Sequence, residues 1–354
     1  MTEKMKTTGF APLLADVLLW CVLFVLTAFG ATNAATMRQY SSISLRYETP
    51  LNGQTAYQAR QYTVAYREET AFWATFWTEH EARFSAELRK VTADCITFSG
   101  DAALVWRAEY LAGNSPGVVD GVGCAISSGL AWALWGDIDV VGKTIEVDGV
   151  PRIVRGVFEG AESLALVSVR DEDKTQNFAA VELSGGSPSS GRGDVESFAN
   201  ASGLGMPDSV LLGAPTILAE FMALLPMVIL IIYGLALCIA HAKKQSVAVR
   251  RTLMFFMFLG AAALLPVFLD ILPDRIIPTR WSDFAFWGSL LSNAGEHLRE
   301  YLTLSPSLRD IEYAELFFKQ AAIALASTGF ALSICFRWQG KMNLERLKRR
   351  INCG

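Results

Sequence analysis

Four apolar runs divide the chain. They cover residues 10–31, 211–240, 252–272 and 315–336, each long enough, at about 20 residues, to cross a bilayer core as a helix. The stretch between the first two, residues 32–210, has a different texture: Gly, Ser, Thr and β-branched residues recur in short runs, which predicts a folded α+β domain. Inside it, SISLRYETP and QARQYTVAYREE read as strands about a turn at LNGQ. Over residues 69–90, Phe72, Phe76, His80 and Phe84 recur at helical spacing and predict an amphipathic helix packed on a core. CITFSGDAALV reads as strand, turn, and strand or helix start, and LAGNSPGVVDGVG as a loop. AISSGLAWALWG predicts a short helix with Ile126, Leu130, Ala131 and Leu134 at helical spacing, Ser127 as N-cap and Gly136 as its stop. Residues Thr144 to Val147 then alternate apolar and polar, turn at Asp148-Gly149 and resume as an apolar-rich run, a hairpin pattern. LALVSVR and FAAVELS follow as strands, and GGSPSSGRGD as a flexible loop. Its Arg192-Gly193-Asp194 tripeptide and the Asn200-Ala201-Ser202 sequon are most simply chance matches.

Charge gives the runs an orientation. Lys4 and Lys6, then Lys243, Lys244, Arg250 and Arg251, then Arg337, Lys341, Arg346, Lys348, Arg349 and Arg350 all fall on one side of a four-span chain. Basic residues near span ends mark the cytoplasmic side, so the expectation is a multi-pass plasma-membrane protein with both termini inside. Its parts are a cytoplasmic N-terminus (1–9), span 1 (10–31), an extracytoplasmic domain (32–210), span 2 (211–240), a cytoplasmic loop (241–251), span 3 (252–272), an outer loop (273–314), span 4 (315–336) and a basic tail (337–354). The first run exceeds the 7–15 residues of a signal-peptide core, which favours an uncleaved helix. In the outer loop, Trp281, Phe284, Phe286 and Trp287 beside Arg280 and Asp283 predict an interfacial helix. With 52% hydrophobic and 19% charged residues, the composition departs from the quarter charged that is usual in soluble proteins.

Candidate chemistry is sparse. GDIDVVGKT (136–144) looks like a phosphate loop, but Gly136 and Gly142 enclose five residues where that motif has four, and a hairpin follows where the motif requires a helix. Of six cysteines, Cys21, Cys238 and Cys335 lie in spans and Cys353 in the tail; Cys95 and Cys124 share the outer domain, and the sequence leaves open whether they pair. His80, His241 and His297 are too dispersed for a zinc site, and no nucleophile elbow is present. No catalytic residue, cofactor, metal or nucleic-acid partner is expected. Asp16, Glu220 and Asp270 lie in or near spans, where an acid either serves function, snorkels to the interface or faces a neighbouring helix.

The stretch Cys124–Glu159 resembles the extracytoplasmic core domain of MacB/FtsX-like ABC transporter permeases. The residues that carry the resemblance are Ser127, Leu130, Ala131, Leu134, Trp135 and Gly136 in the helix, Asp139, Gly142, Lys143, Thr144 and Ile145 in the following turn and strand, and Gly156 and Val157 at the hairpin's end. The one-helix, large-domain, three-helix layout is similar to that family too. Two departures stand out: HAKKQSVAVRR is shorter than the family's coupling helix, and the outer loop 273–314 is longer than expected. The resemblance implies a permease subunit that couples ATP hydrolysis by a separate cytoplasmic ABC-type ATPase to movement of its outer domain, paired with a second permease copy or a paralogue. It also makes Lys243, Lys244, Ser246, Val247, Val249, Arg250 and Arg251, with the tail segment 346–350, candidates for ATPase docking. The same charges orient helices and attract anionic lipid. The alternative is a non-transport sensor or scaffold whose outer domain binds a ligand or cell-wall factor.

Overall fold

A computed structural model describes residues 10–39, 42–66, 72–170, 175–185, 192–243, 246–271 and 306–352, with isolated positions between 288 and 303. It divides into two compact units: Gln39–Ala214 with Leu291–Glu312, and Met1–Arg38 with Pro215–Leu290 and Tyr313–Gly354.

After α1 (Phe10–Gln39), the domain unit runs β1 (Ile43–Asn52), α2 (Gly53–Ala65), β2 (Phe72–Ala86), β3 (Arg89–Ser99), α3 (Ala102–Val105), β4 (Tyr110–Gly113), β5 (Gly123–Ser127), α4 (Ser128–Trp135), β6 (Thr144–Val147), β7 (Val150–Phe158), β8 (Leu164–Ser168), β9 (Asn177–Gly185), α5 (Arg192–Ala201) and β10 (Ser209–Leu211). The strands make one ten-stranded sheet ordered β10-β1-β9-β2-β3-β8-β5-β7-β4, with β6 pairing both β2 and β7. Among the described strand pairs, only β3 with β8 and β5 with β7 are parallel. Because β6 bridges β2 and β7, the path β2-β3-β8-β5-β7-β6 closes on itself. Phe84, Cys95, Cys124, Ile126, Ile145 and Val154 form a core with Leu130, Ala131 and Leu134 of α4. On the β10-β1-β9 side, Leu45, Phe76, Val181, Ala59 of α2 and Phe198 of α5 share a second core. Trp77, Ile96, Phe98, Phe158 and Leu166 belong to a third.

The helix expected over 69–90 is the long strand β2. Phe72, Phe76, His80 and Phe84 are spaced by four, and four is a multiple of the strand period of two, so the stripe fits either element. Pairing with β3, β6 and β9 decides in favour of the strand. Conversely, the strand expected over QARQYTVAYREE is α2: the side chain of Asn52 accepts from Thr55 N at 2.8 Å as an N-cap, and the buried Ala56, Ala59 and Thr63 follow a helical stripe. Arg192-Gly193-Asp194 opens α5 and is no loop, with Arg192 paired to Glu196 one turn on at 2.9 Å. Asn200 lies in the last turn of α5, and Ser202 just beyond it is buried. The short helix and the hairpin lie where the sequence pattern puts them.

The helical unit holds α1 up to Arg38, α6 (Ala214–Ala242), α7 (Val247–Ile271) and most of α8 (Leu308–Asn352). Three described stretches are long and apolar enough to cross a membrane: Leu14–Arg38, Pro215–Ala242 and Leu308–Gly340. The third span expected at 252–272 falls mostly on α7. The fourth apolar run and the basic segment after it lie on one helix, α8, which begins before residue 315 and continues unbroken through 337–352. The interfacial aromatic segment 281–287 lies outside the described residues.

Gly142 takes φ +85°, and its N–H donates to Val154 O at 2.7 Å. A β-branched residue cannot adopt that left-handed backbone without strain of about 1–3 kcal/mol. Gly142→Val is therefore expected to lower the melting temperature of the full chain in detergent, while Lys143→Ala, at an exposed position, leaves it nearly unchanged. Equal melting temperatures for Gly142→Val and the parent would contradict the strain argument.

Candidate functional site

The motif residues of the 124–159 unit are used for packing. Ser127 Oγ accepts from Leu130 N at 3.2 Å and Leu164 N at 3.1 Å and donates to Glu162 O at 2.6 Å, so one hydroxyl caps α4 and ties it to the start of β8. Leu130 and Ala131 are fully buried. Gly136 ends the helix in the left-handed region, its N–H donating to Trp132 O. A Cβ on Gly156 would meet Asn114 O at 2.5 Å, so only glycine lets β7 approach the loop after β4. Lys143 is exposed with its Nζ 5.7 Å from the centroid of the Trp135 ring. In the turn that resembles a phosphate loop, Gly142 N donates to Val154 O and Lys143 N to Val140 O. Those N–H groups are spent on carbonyls and cannot cradle an anion.

Cys95 and Cys124 are buried free thiols, held on β3 and β5 with β8 between them. Burial pushes both up to about 12, so neither is a thiolate at neutral pH. Among the described residues, no three of His, Cys, Asp and Glu converge to hold a metal.

Two of the three acids in the spans form ion pairs. Asp16 pairs with Arg337 at 3.1 Å and Glu220 with Arg38 at 2.6 Å; the side chain of Asp270 lies outside the described residues. Asp16 and Arg38 are ~33 Å apart along α1 at ~1.5 Å of rise per residue, close to the thickness of a hydrocarbon core. Between these pairs, Asn33 Nδ2 donates to Gln320 Oε1 at 3.1 Å and Gln320 Nε2 to Ala219 O at 3.3 Å, joining α1, α8 and α6. Thr216 also bonds the hydroxyl of Tyr313 and donates to Met37 O. Of the docking candidates, Lys243, Ser246, Val247, Val249, Arg250 and Arg251 are exposed around the α6–α7 connection, and Lys244 is outside the described residues.

A charge cluster that the sequence reading did not single out lies within the domain unit. Glu182 on β9 has no solvent exposure. Its Oε1 accepts from Ser44 Oγ at 2.6 Å, Trp77 Nε1 at 3.1 Å and Arg309 Nη1 at 2.8 Å, and its Oε2 from Ser42 Oγ at 2.6 Å. Beside it, Arg46 Nη2 donates to Asp310 Oδ1 at 2.8 Å, its guanidinium 4.7 Å from the Trp77 ring centroid. The first turn of α8 is thereby tied to β1, β2 and β9. Ser307 and Asp310 make a reciprocal capping box: Asp310 N donates to Ser307 Oγ, and Ser307 N to Asp310 Oδ2. Glu79 Oε2 accepts from Leu308 N at 2.9 Å. A cleft of about 620 Å³ opens along these residues, with Glu48, Glu79, Glu81, Asp94, Asp208 and Asp310 among its walls. Two signals for the cluster were present in the chain: an acid inside the apolar strand FAAVELS, and the S-x-x-D capping pattern at Ser307–Asp310.

No family model and no curated protein sequence matches the chain. Among solved structures it is similar to the extracellular domain of the noncanonic ABC-type transporter YknZ from Gram-positive bacteria, at 12% identity over 46% of this chain and 89% of that one, TM-score 0.35. It is also similar to the periplasmic region of MacB from Actinobacillus actinomycetemcomitans, at 10% identity over 49% of this chain and 89% of that one, TM-score 0.39. A third is a domain of a permease protein from Porphyromonas gingivalis, at 16% identity over 45% of this chain and 81% of that one, TM-score 0.33.

Burial raises the Glu79 carboxyl above its ordinary value of 4.5, and the nearby Asp94 and Asp310 add to the rise, against the Leu308 N–H and Arg46. A carboxyl held more tightly protonated in the fold gives stability that is greatest at low pH and is lost as pH climbs through the folded pKa. The difference in melting temperature between Glu79→Gln and the parent should therefore widen in favour of the variant as pH rises from 4.5 toward neutral. A difference independent of pH would contradict the assignment.

Proposed function

We propose that this chain is the membrane-spanning permease subunit of a MacB/FtsX-like ABC transporter, in which a separate cytoplasmic ATPase drives movement of the outer domain for export or mechanotransmission. The observation that carries the reading is the 124–159 unit: the residues that resemble the family's motif fold as a capped helix leading through a glycine turn into a hairpin. In this reading α1, α6, α7 and α8 are four spans of a multi-pass plasma-membrane protein, the domain is inserted between the first two, and both termini are cytoplasmic. The asymmetry of lysine and arginine supports that orientation. The chain binds no nucleotide itself and works beside a second permease copy or a paralogue.

The α6–α7 connection and the basic end of α8 are the surfaces such an ATPase would meet. Val247 and Val249 are 56% and 46% exposed there, two apolar groups beside a cluster of cations. Charge alone would also serve anionic lipid, so the test leaves the charges in place. Alanine at Ser246, Val247 and Val249 is expected to abolish copurification of an ATPase in mild detergent with normal membrane insertion. Unchanged copurification after these substitutions and deletion of residues 346–354 would remove the docking proposal, and absence of any ATPase from preparations of the unmodified chain would remove the transporter reading.

A further inference from the structure

Glu182 has two arginines within reach and uses one. Arg309 Nη1 donates to Oε1 at 2.8 Å, while Arg46 Nη2 stands 3.9 Å from the same oxygen and donates instead to Asp310. Arg46 Nε is buried without a hydrogen-bond partner, so that guanidinium has donor capacity left over. Arg309 and Asp310 are neighbours on the first turn of α8. Anything that lifts this turn takes the cation from Glu182 and the anion from Arg46 in one step.

We propose that the first turn of α8 is a releasable latch on the sheet, closed by the Arg309–Glu182 and Arg46–Asp310 pairs and opened by a partner exchange in which Arg46 moves onto Glu182. The exchange keeps the buried charge balanced in both states. Closed, two pairs are present; open, Arg46–Glu182 stays with the sheet, and the departing turn carries Arg309 and Asp310, whose charges cancel. Without the second arginine, release would strand a carboxylate in the interior, the costly outcome for a buried pair. Each side also keeps bonds of its own. Ser44 and Trp77 belong to β1 and β2 and continue to donate to Glu182, whereas the Ser307–Asp310 capping box leaves with the helix and keeps its end capped. Release also gives up the bond from Arg309 Nη2 to Ser42 Oγ, the Glu79–Leu308 bond and the packing of Leu308 on the Trp77 core. Two discrete charge arrangements of similar balance make a switch rather than a graded hinge.

The exchange predicts that the two arginines back each other up at Glu182, and that only the loss of Arg309 frees the turn. In the full chain in detergent, Arg309→Met should speed hydrogen exchange in peptides covering residues 308–312 at least tenfold while β1 and β9 stay protected. Arg46→Met should leave the 308–312 peptides protected. Combined, the two substitutions should lower the melting temperature by more than the sum of the single effects, and in a Glu182→Gln background the excess should vanish. Additive effects with Glu182 present, or loss of protection in β9 with Arg309→Met alone, would overturn the proposal. If the double variant does not fold, the triple variant with Glu182→Gln decides: its folding supports the exchange, and its failure overturns it.

Discussion

A carboxylate with no access to water sits on β9, between β1 and β2, and much of the domain is arranged to neutralise it. Moving an ionised carboxylate into a protein interior costs several kcal/mol even after relaxation, so Glu182 must be met by donors from each element that reaches it. Register supplies two of them. Ser44 is directly opposite Glu182 on β1, and Trp77 is two residues beyond Thr75, its opposite on β2. Strands alone bring only neutral donors to bonding distance; the cation in contact comes from the far end of the sequence, on the first turn of α8. The pairing of this acid ties the first turn of α8 to the sheet, and the Ser307–Asp310 capping box begins that helix at Leu308, ahead of the apolar run beginning at residue 315.

Legibility in the sequence follows from how local the deciding interaction is. Helix α4 and the β6–β7 hairpin were readable because their caps and turns lie within a few residues: Ser127 with Leu130, Gly136 with Trp132, and the Asp148-Gly149 turn, where both residues take positive φ. β2 was not, because its four-residue stripe fits two periods and only distant strands break the tie. α2 was lost in the opposite way, its alanine and threonine face being too weakly apolar to show a helical stripe, although Asn52 had the chemistry of an N-cap. The Glu182 cluster was the least legible part. Its members lie at 42–46, 77, 182 and 309–310, and no spacing rule connects them.

The acids in the spans show the same logic in a different setting. A lone charge in hydrocarbon is a functional candidate by default because burial there is expensive, yet that argument assumes that the charge is alone. Asp16 and Glu220 each face an arginine, and the two pairs bracket a stretch of α1 close to one hydrocarbon thickness. Between them the polar contacts are neutral, Asn33 with Gln320 and Gln320 with Ala219 O, and Thr216 with Tyr313 lies beside the Arg38–Glu220 pair. Charge at the margins and amides or hydroxyls in between is the distribution expected when polar groups set helix register. A substrate path would instead want polar groups facing an open channel.

Gly142-Lys143-Thr144 shows why a three-residue match says little until its backbone is placed. A phosphate site requires consecutive N–H groups that point into empty space at the start of a helix, with the positive end of the helix dipole behind them. Here the glycine and lysine N–H groups are hydrogen-bonded, Thr144 already belongs to a strand, and the lysine lies near an aromatic ring on the surface. Glycine serves both arrangements, because both need a positive φ; what differs is the direction in which the chain leaves the turn. A helix would leave N–H groups unspent, whereas a strand commits them to a neighbour. The hairpin that follows therefore decides the chemistry of the turn before any side chain is considered. Lys143 has no anion to bind because the residues after it, alternating through Val147, had already claimed the backbone for the sheet.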